Sequence, residues 1–236
     1  MQHAPEAVFL SLVAGSAIGL GALFAFAEQR APRQVDAEFP VFMTALGGGA
    51  LLAAVALVLI PEGLETLPIY ASSLSFVAGG GTALAIDRYF AARKGAAAQL
   101  SAMLLDFIPE TIVIGAVIAA DIGKAVFMTL IIFLQNVPES FAAYRELSRQ
   151  DEVRPSVLLL VFGAATVSGP VFVFIGAGLF LGHPGRLGAL MTYCSGGIIY
   201  FLFNDIAPKA TLKNHWWPPF GALIGFLIGM IGDALT

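Results

Sequence analysis

Residues 106–111 read Asp-Phe-Ile-Pro-Glu-Thr and residues 135–140 read Gln-Asn-Val-Pro-Glu-Ser, so a proline followed by a glutamate occurs twice, 29 positions apart. Both segments lie inside long apolar runs. A charged side chain at bilayer depth is costly, and it normally faces a bundle interior or a water-filled cavity on an ion or substrate path. Each proline also leaves the carbonyl four residues earlier without its N–H partner. The two segments therefore predict where a membrane protein would carry its function.

The composition of the chain is that of an integral membrane protein. Of its 236 residues, 58% are hydrophobic and only 12% are charged, and the mean hydropathy is +0.86. These values are too apolar for a soluble domain of this length. Runs long enough to cross roughly 30 Å of hydrocarbon predict a single transmembrane domain, 1–236, with eight helices at about 7–27, 39–61, 66–86, 96–120, 125–144, 155–182, 187–204 and 214–232.

The basic residues predict the orientation of these helices. Ten of the twelve lysines and arginines fall in the connections after helices 1, 3, 5 and 7, and only Lys124 and Arg186 fall after helices 2, 4 and 6. Cytoplasmic loops carry an excess of lysine and arginine, so we expect both termini outside. The start of the chain lacks the basic segment of a cleaved signal peptide, and we expect the first run to remain a helix. The predicted location is the cell membrane, in a bacterium the inner membrane.

A second internal similarity, between parts of helices 2 and 7, predicts an inverted repeat. Residues 48–61 of helix 2 and 196–208 of helix 7 both begin with a Gly-Gly pair and end at a proline, but the two helices run in opposite directions. Many secondary transporters are built from inverted units around a site at the membrane midplane. We therefore expect repeats at about 5–90 and 154–235 to flank helices 4 and 5, at about 96–147.

Helix 8 carries small residues at four-residue spacing, Gly221, Gly225 and Gly229. Small residues let membrane helices approach closely. The preferred interpretation is packing within one chain. A contact between two copies, and hence a homodimer, is the alternative.

Polar residues of helices 4 and 5 are expected to converge. Asp106 and Glu110 are four positions apart and share a face, and Gln135 and Glu139 repeat this arrangement, with Asn136 beside them. No lysine or arginine lies near the centre of any helix, so an ion pair cannot neutralise the three carboxylates. Like charges in a low dielectric repel and favour protonation. A divalent cation would resolve the conflict, and protonation without a metal is the alternative.

These motifs resemble those of the ZIP (Zrt-/Irt-like) family of divalent metal transporters. Residues 109–111 and 135–140 are similar to the His-Asn-x-Pro-Glu-Gly type motifs of that family, and further similarity lies at 59–63, 168–170 and 204–208. The resemblance implies an all-α membrane protein with eight helices, a 3+2+3 inverted-repeat arrangement and both termini outside.

The resemblance also implies a metal site composed of Asp106, Glu110, Gln135 and Glu139. Asn136 occupies a position that in relatives belongs to an adjacent second site. Asp106 and Gln135 stand where relatives usually have histidine, so all the implied ligands are oxygen atoms. Zinc favours nitrogen and sulfur, whereas Mg²⁺, Ca²⁺ and Mn²⁺ accept oxygen and Fe²⁺ lies between. The choice among these five cations stays open.

The predicted function is the movement of a divalent cation toward the cytoplasm. The expected partners are this cation, as substrate, and the lipid bilayer, with no nucleic acid, no prosthetic group and no enzymatic activity. Two alternatives stay open: an intramembrane enzyme that uses the paired carboxylates as acid and base, and a ZIP-like regulatory protein that does not transport. Cys194 is the single cysteine, which excludes an internal disulfide, and it is interpreted as a small buried residue.

Overall fold

A computed structural model describes residues 3–30, 38–91, 96–118, 121–149, 153–180, 182–213 and 215–235. For residues 90, 91 and 96–106 the description covers the backbone alone. Within these ranges the regular secondary structure is helical and no strand is present.

The described ranges form eight helical rods. Six of them are long and apolar enough to cross a membrane, namely those at Ala4–Glu28, Glu38–Thr66, Ile69–Tyr89, Ile122–Arg149, Pro155–Phe180 and Pro184–Lys209. The chain is thus an all-α, multi-pass membrane protein, while the count of eight crossings and the outward termini stay predictions. The rods are α1 (Ala4–Glu28), α2 (Glu38–Thr66), α3 (Ile69–Ala91), α4 (Ala96–Val117), α5 (Ile122–Arg149), α6 (Pro155–Phe180), α7 (Pro184–Lys209) and α8 (Phe220–Leu235).

Two of the rods change their helical winding near a proline. A π-helical segment runs through Ala54–Leu59 in α2 and another through Leu202–Ile206 in α7. Pro61 and Pro208 follow these segments closely, and a proline supplies no N–H to the helical hydrogen-bond pattern. Local π-turns of this kind are frequent at functional sites. The segment in α7 borders both cavities described below, through Ile206.

The last helix begins later than the sequence predicted. The prediction was 214–232, but α8 starts at Phe220. Pro218 and Pro219 explain the difference, because a proline disfavours helical geometry in the residue before it. Trp217 lies in the preceding turns, where its ring stacks on Phe42 with 6.0 Å between ring centroids. The helices α2, α5 and α7 instead extend five residues beyond their predicted ends, since polar side chains at a helix end can reach water.

The helices pack as neighbouring pairs around a central α5. The helix α2 lies against α8, α3 lies against α7, and α1 lies against both α5 and α6. The helix α4 contacts α6 on one side and α5 on the other, and α5 also contacts α2. The two proline-containing helices that carry the predicted site are therefore neighbours, as the sequence analysis requires.

Glycines set the distance between α3 and α7. Gly79 of α3 faces the carbonyl oxygen of Tyr193, and Gly196 of α7 faces the carbonyl oxygen of Phe76. A Cβ atom at either glycine would overlap the opposing oxygen. This close approach fixes the position of α7 beside the candidate site, as small residues do in membrane bundles.

The glycine stripe of α8 packs within the chain. Gly221, Gly225 and Gly229 are buried, and all three lie against residues of α2. This agrees with the preferred interpretation. The alternative contact between two copies would have to use a different face.

Replacing Gly79 should destabilise the protein selectively. In Gly79→Val the new side chain would meet the backbone of α7, and overpacking of this kind typically costs about 1–3 kcal/mol. Gly81→Val is the matched control on the same helix, because nothing lies within 4 Å of a Cβ atom there. Thermal unfolding of the detergent-solubilised protein should show a lower midpoint for Gly79→Val than for Gly81→Val. Equal losses would contradict the close α3–α7 crossing.

Candidate cation site between α4 and α5

The predicted convergence of α4 and α5 is present for Glu110 and Gln135. Pro109 lies inside α4 and Pro138 lies inside α5, and both helices continue past them. The Nε2 atom of Gln135 donates a hydrogen bond to Oε1 of Glu110. Both side chains are buried, with 9% of Glu110 and 4% of Gln135 exposed. A polar contact therefore joins the two helices deep inside the bundle.

Three oxygen atoms at this contact have no hydrogen-bond donor among the described residues. They are Oε2 of Glu110, Oε1 of Gln135 and Oδ1 of Asn136, and all three are buried. One hydrogen of the Asn136 amide nitrogen is donated to the Ile132 carbonyl, at 2.9 Å between the heavy atoms. A buried polar group without a partner costs about 1–3 kcal/mol, and more when it is charged. The site thus offers electron-pair donors that need a positively charged or hydrogen-bonding partner.

The carboxylates open onto a cavity of about 160 Å³, which we call the site cavity. Glu110 of α4 and both Gln135 and Glu139 of α5 line it. The helices α2, α3 and α7 complete its walls, largely with apolar side chains. Among the described lining residues there is no lysine, arginine or histidine. Two carboxylates therefore share a small, mostly apolar space.

A second cavity, of about 220 Å³, shares Gln135 and Glu139 with the first and is called the vestibule. Its other acidic lining residues are Asp87, Glu146 and Asp205, near the ends of α3, α5 and α7. This gives a path of acidic side chains from the middle of the bundle to one end. Glu146 was missed by the sequence analysis, although it follows Glu139 by seven residues and hence lies on the same helix face.

Hydrogen bonds hold two of the vestibule acids in place. Asp87 Oδ2 accepts from the Tyr200 hydroxyl at 2.8 Å and from Asn204 Nδ2 at 3.2 Å. Asp205 pairs with Lys209 one turn later, with 2.6 Å between Oδ1 and Nζ. The side chain of Asp87 thus links α3 to α7 at the wall of the vestibule.

At the opposite end of the bundle, an ion pair joins α2 to α5. Lys124 Nζ contacts Glu62 Oε1, and both side chains are partly exposed. The backbone N–H of Lys124 donates to Asp121 Oδ1 at 3.0 Å, which caps the start of α5. The ends of α2 and α5 are therefore tied together on the side away from the vestibule.

The five predicted site residues have different outcomes. Glu110, Gln135 and Glu139 line one cavity, whereas Asn136 is buried beside them and is not among its lining residues. Asp106 lies on α4 one turn before Glu110, but its side chain falls outside the described part. Among the described side chains, no three carboxylates, imidazoles or thiols are arranged to hold one ion. The predicted set of metal ligands is therefore complete only if the side chain of Asp106 joins it.

Cys194 has a position that the sequence analysis did not anticipate. It is buried, as predicted, but it also lines the site cavity with Glu110 and Glu139. The signal was its spacing, because Cys194, Gly197 and Phe201 follow one face of α7. Helix spacing alone does not reveal which neighbour that face meets.

No family model matches this chain. No curated protein matches it either. Its functional assignment therefore rests on the chemistry of the cavity between α4 and α5.

Proposed function

We propose that the protein transports divalent metal cations through the site between α4 and α5, toward the cytoplasm. The observation that carries this proposal is the set of buried oxygen atoms without donors on Glu110, Gln135 and Asn136. Water can satisfy the amide oxygens. It does not offset the repulsion between the carboxylates of Glu110 and Glu139, which a divalent cation would remove. The cation is the substrate, and no prosthetic group is needed.

The two ends of the bundle support a direction for this transport. The site cavity shares walls with the acidic vestibule, while the Glu62–Lys124 pair joins α2 to α5 at the other end. The bias of lysine and arginine favours a cytoplasmic vestibule. The arrangement then corresponds to an inward-facing state. An inside-negative potential would draw cations inward with roughly 2.3 kcal/mol per charge per 100 mV.

Helix packing supports the proposed inverted repeat. An inverted repeat would relate α1 to α6, α2 to α7, α3 to α8 and α4 to α5. Under this exchange the α2–α8 contact corresponds to the α7–α3 contact, and the α1–α5 contact corresponds to the α6–α4 contact. Gly49 lies at the α2–α8 crossing and Gly196 lies at the α7–α3 crossing, and each precedes a proline by twelve residues. Transporters with inverted repeats place their sites between the two units.

Contacts between helix ends support the eight-helix topology. Glu28 pairs with Arg145, and Glu38 pairs with His215, and both contacts join ends that the charge count assigns to the cytoplasm. Glu62 and Lys124 join ends assigned to the outside. Membership of the ZIP family and a bacterial inner-membrane location are parts of the same proposal.

Transport by the purified protein in liposomes tests the proposal. Vesicles that enclose a metal-sensitive fluorophore should take up Mn²⁺ faster than protein-free vesicles, and an inside-negative potential should increase the rate. The same assay with Zn²⁺, Fe²⁺, Mg²⁺ and Ca²⁺ identifies the preferred substrate. Uptake no faster than in protein-free vesicles for all five cations would overturn the proposal and favour a ZIP-like protein that does not transport. Turnover of a lipid or peptide without metal flux would favour the enzyme.

A further inference from the structure

We propose that the ion pair between Glu62 and Lys124 is the gate on the outer side of the bundle, the side away from the vestibule, and that it breaks when the site cavity opens to that side. The inference rests on the proposed transport function and deepens it, because it identifies the residues that control access from the outer side. A carrier with alternating access exposes its site to one side at a time. A site that opens toward the vestibule therefore needs a closure at its other end.

The helix α2 diverges from α5 toward the outer side. Close backbone contact between the two helices is concentrated in residues 38–53 of α2. Beyond them α2 is wound as a π-helix through Ala54–Leu59. Its last segment, Ile60–Thr66, contains Pro61 and packs on α7. The space between α2 and α5 at this end is thus closed by side chains and not by backbone contact.

The last segment of α2 is held differently by its two neighbours. A Cβ atom at Gly63 would overlap the side chain of Thr192, and a Cβ atom at Gly188 would overlap that of Thr66, so the contact with α7 is tight. Toward α5 the segment is linked by the ion pair, whose two side chains are both partly exposed. Ion pairs in contact with water contribute little to stability. The ion pair is therefore the contact that can break and form again while the contact with α7 persists.

An apolar layer lies between the ion pair and the site. It is formed by the parts of α2, α4 and α5 that separate the outer end from Glu110 and Gln135. Hydrophobic constrictions exclude water and stop ions while they are closed. Because α2 and α5 both contribute to the layer, their separation at the ion pair would open it as well. Six of its side chains, all buried in one cluster, are Val55, Leu59, Val113, Ile114, Met128 and Ile132.

The charges around the ion pair predict which of its partners matters more. Besides Glu62, the carboxylates of Asp121 and Glu65 lie close enough to attract the ammonium group of Lys124. Without Lys124, three carboxylates at the ends of α2 and α5 repel one another. Without Glu62, Lys124 still has two acidic neighbours. Loss of Lys124 should therefore favour the open gate more than loss of Glu62.

Cys194 provides a test of the gate, because it is the sole cysteine of the chain and lines the site cavity. A small, membrane-impermeant methanethiosulfonate cation is added to right-side-out and to inside-out vesicles, and the mass of the purified protein reports the labelling. In the parent, Cys194 should react faster from the vestibule side than from the outer side. Lys124→Met should raise the outer rate by about three- to fivefold, the shift in population that corresponds to the loss of one partly exposed ion pair. Glu62→Gln should raise it less.

Two further variants separate the gate from effects of folding or surface charge. Arg186 is the other basic residue that the charge count assigns to the outer side, and it is exposed near the start of α7. Arg186→Met should leave the outer rate at that of the parent. The charge exchange of Glu62→Lys combined with Lys124→Glu restores an ion pair, and it should move the outer rate back toward that of the parent.

The gate would be overturned if Lys124→Met had the outer rate of the parent, or if the charge exchange left the outer rate as high as in Lys124→Met. Equal rates from both sides in the parent, or no reaction from the vestibule side, would also overturn it. Labelling is measured without metal, so the two proposals fail separately. A parental outer rate in Lys124→Met beside intact Mn²⁺ uptake would remove the gate alone, whereas absence of uptake in the parent would remove the transport function and the gate with it.

Discussion

Glu110→Gln is expected to reduce Mn²⁺ uptake in proteoliposomes by about a hundredfold or more. The change keeps the shape of the side chain but removes its charge. The new amide can still accept from Gln135, which leaves its NH₂ group facing the cavity where the carboxylate oxygen had no donor. A hydrogen-bond donor cannot bind a cation. Loss of an outer-shell partner costs about 10–100-fold in metal affinity, and loss of a direct ligand should cost at least the upper value.

The control for this variant is Glu6→Gln, which removes the same charge from an exposed position in the first turn of α1. It should transport at the rate of the parent. Isothermal titration of both variants separates lost binding from lost movement. If Glu110→Gln transported like the parent, or if Glu6→Gln fell to the same extent, the site would be assigned to the wrong residues.

Gly197→Phe is expected to block transport and to leave the protein folded. Gly197 lines the site cavity, and a Cβ atom there would meet only the Gly79 carbonyl oxygen, at 3.9 Å. The backbone therefore accepts a side chain at this position. A phenyl ring would extend into a cavity of about 160 Å³ and obstruct the path between Glu110 and the vestibule. Uptake should fall to the rate of protein-free vesicles.

A phenylalanine on the outside of the bundle serves as the control. Gly163 of α6 is exposed, and nothing lies within 4 Å of a Cβ atom there. Gly163→Phe should keep the uptake and the thermal midpoint of the parent. Parental uptake by Gly197→Phe, with both proteins equally stable, would show that the cation does not pass through the site cavity.

The sequence predicted the site better on α4 and α5 than on the helices around them. Helical periodicity puts Gln135 and Glu139 on one face, and the cost of burying charge requires that face to look inward. This reasoning sufficed to predict that Glu110 and Gln135 meet. Periodicity does not specify which helices are neighbours in the bundle, and so it left Cys194 without an assigned partner.

The boundaries of the helices show a related limit. Hydropathy finds the apolar interior of a span but not the polar turns that continue it, and so α5 reaches Arg149 rather than 144. At α8 the error is in the opposite direction, because the helix starts at Phe220, later than predicted. Pro218 and Pro219 disfavour helical geometry just before this residue, although the hydropathy pattern placed the start at 214. The bias of lysine and arginine could be counted from the sequence alone, but the orientation that it predicts depends on the number of membrane crossings.

The central claim is that α4 and α5 share a bound divalent cation, and anomalous scattering from crystals soaked in Mn²⁺ tests it most directly. We expect a peak between the two helices that contacts the carboxylates of both Glu110 and Glu139, and we expect the peak to disappear in Glu110→Gln. Peaks at the protein surface alone, with Glu110 and Glu139 directed away from each other, would contradict the claim.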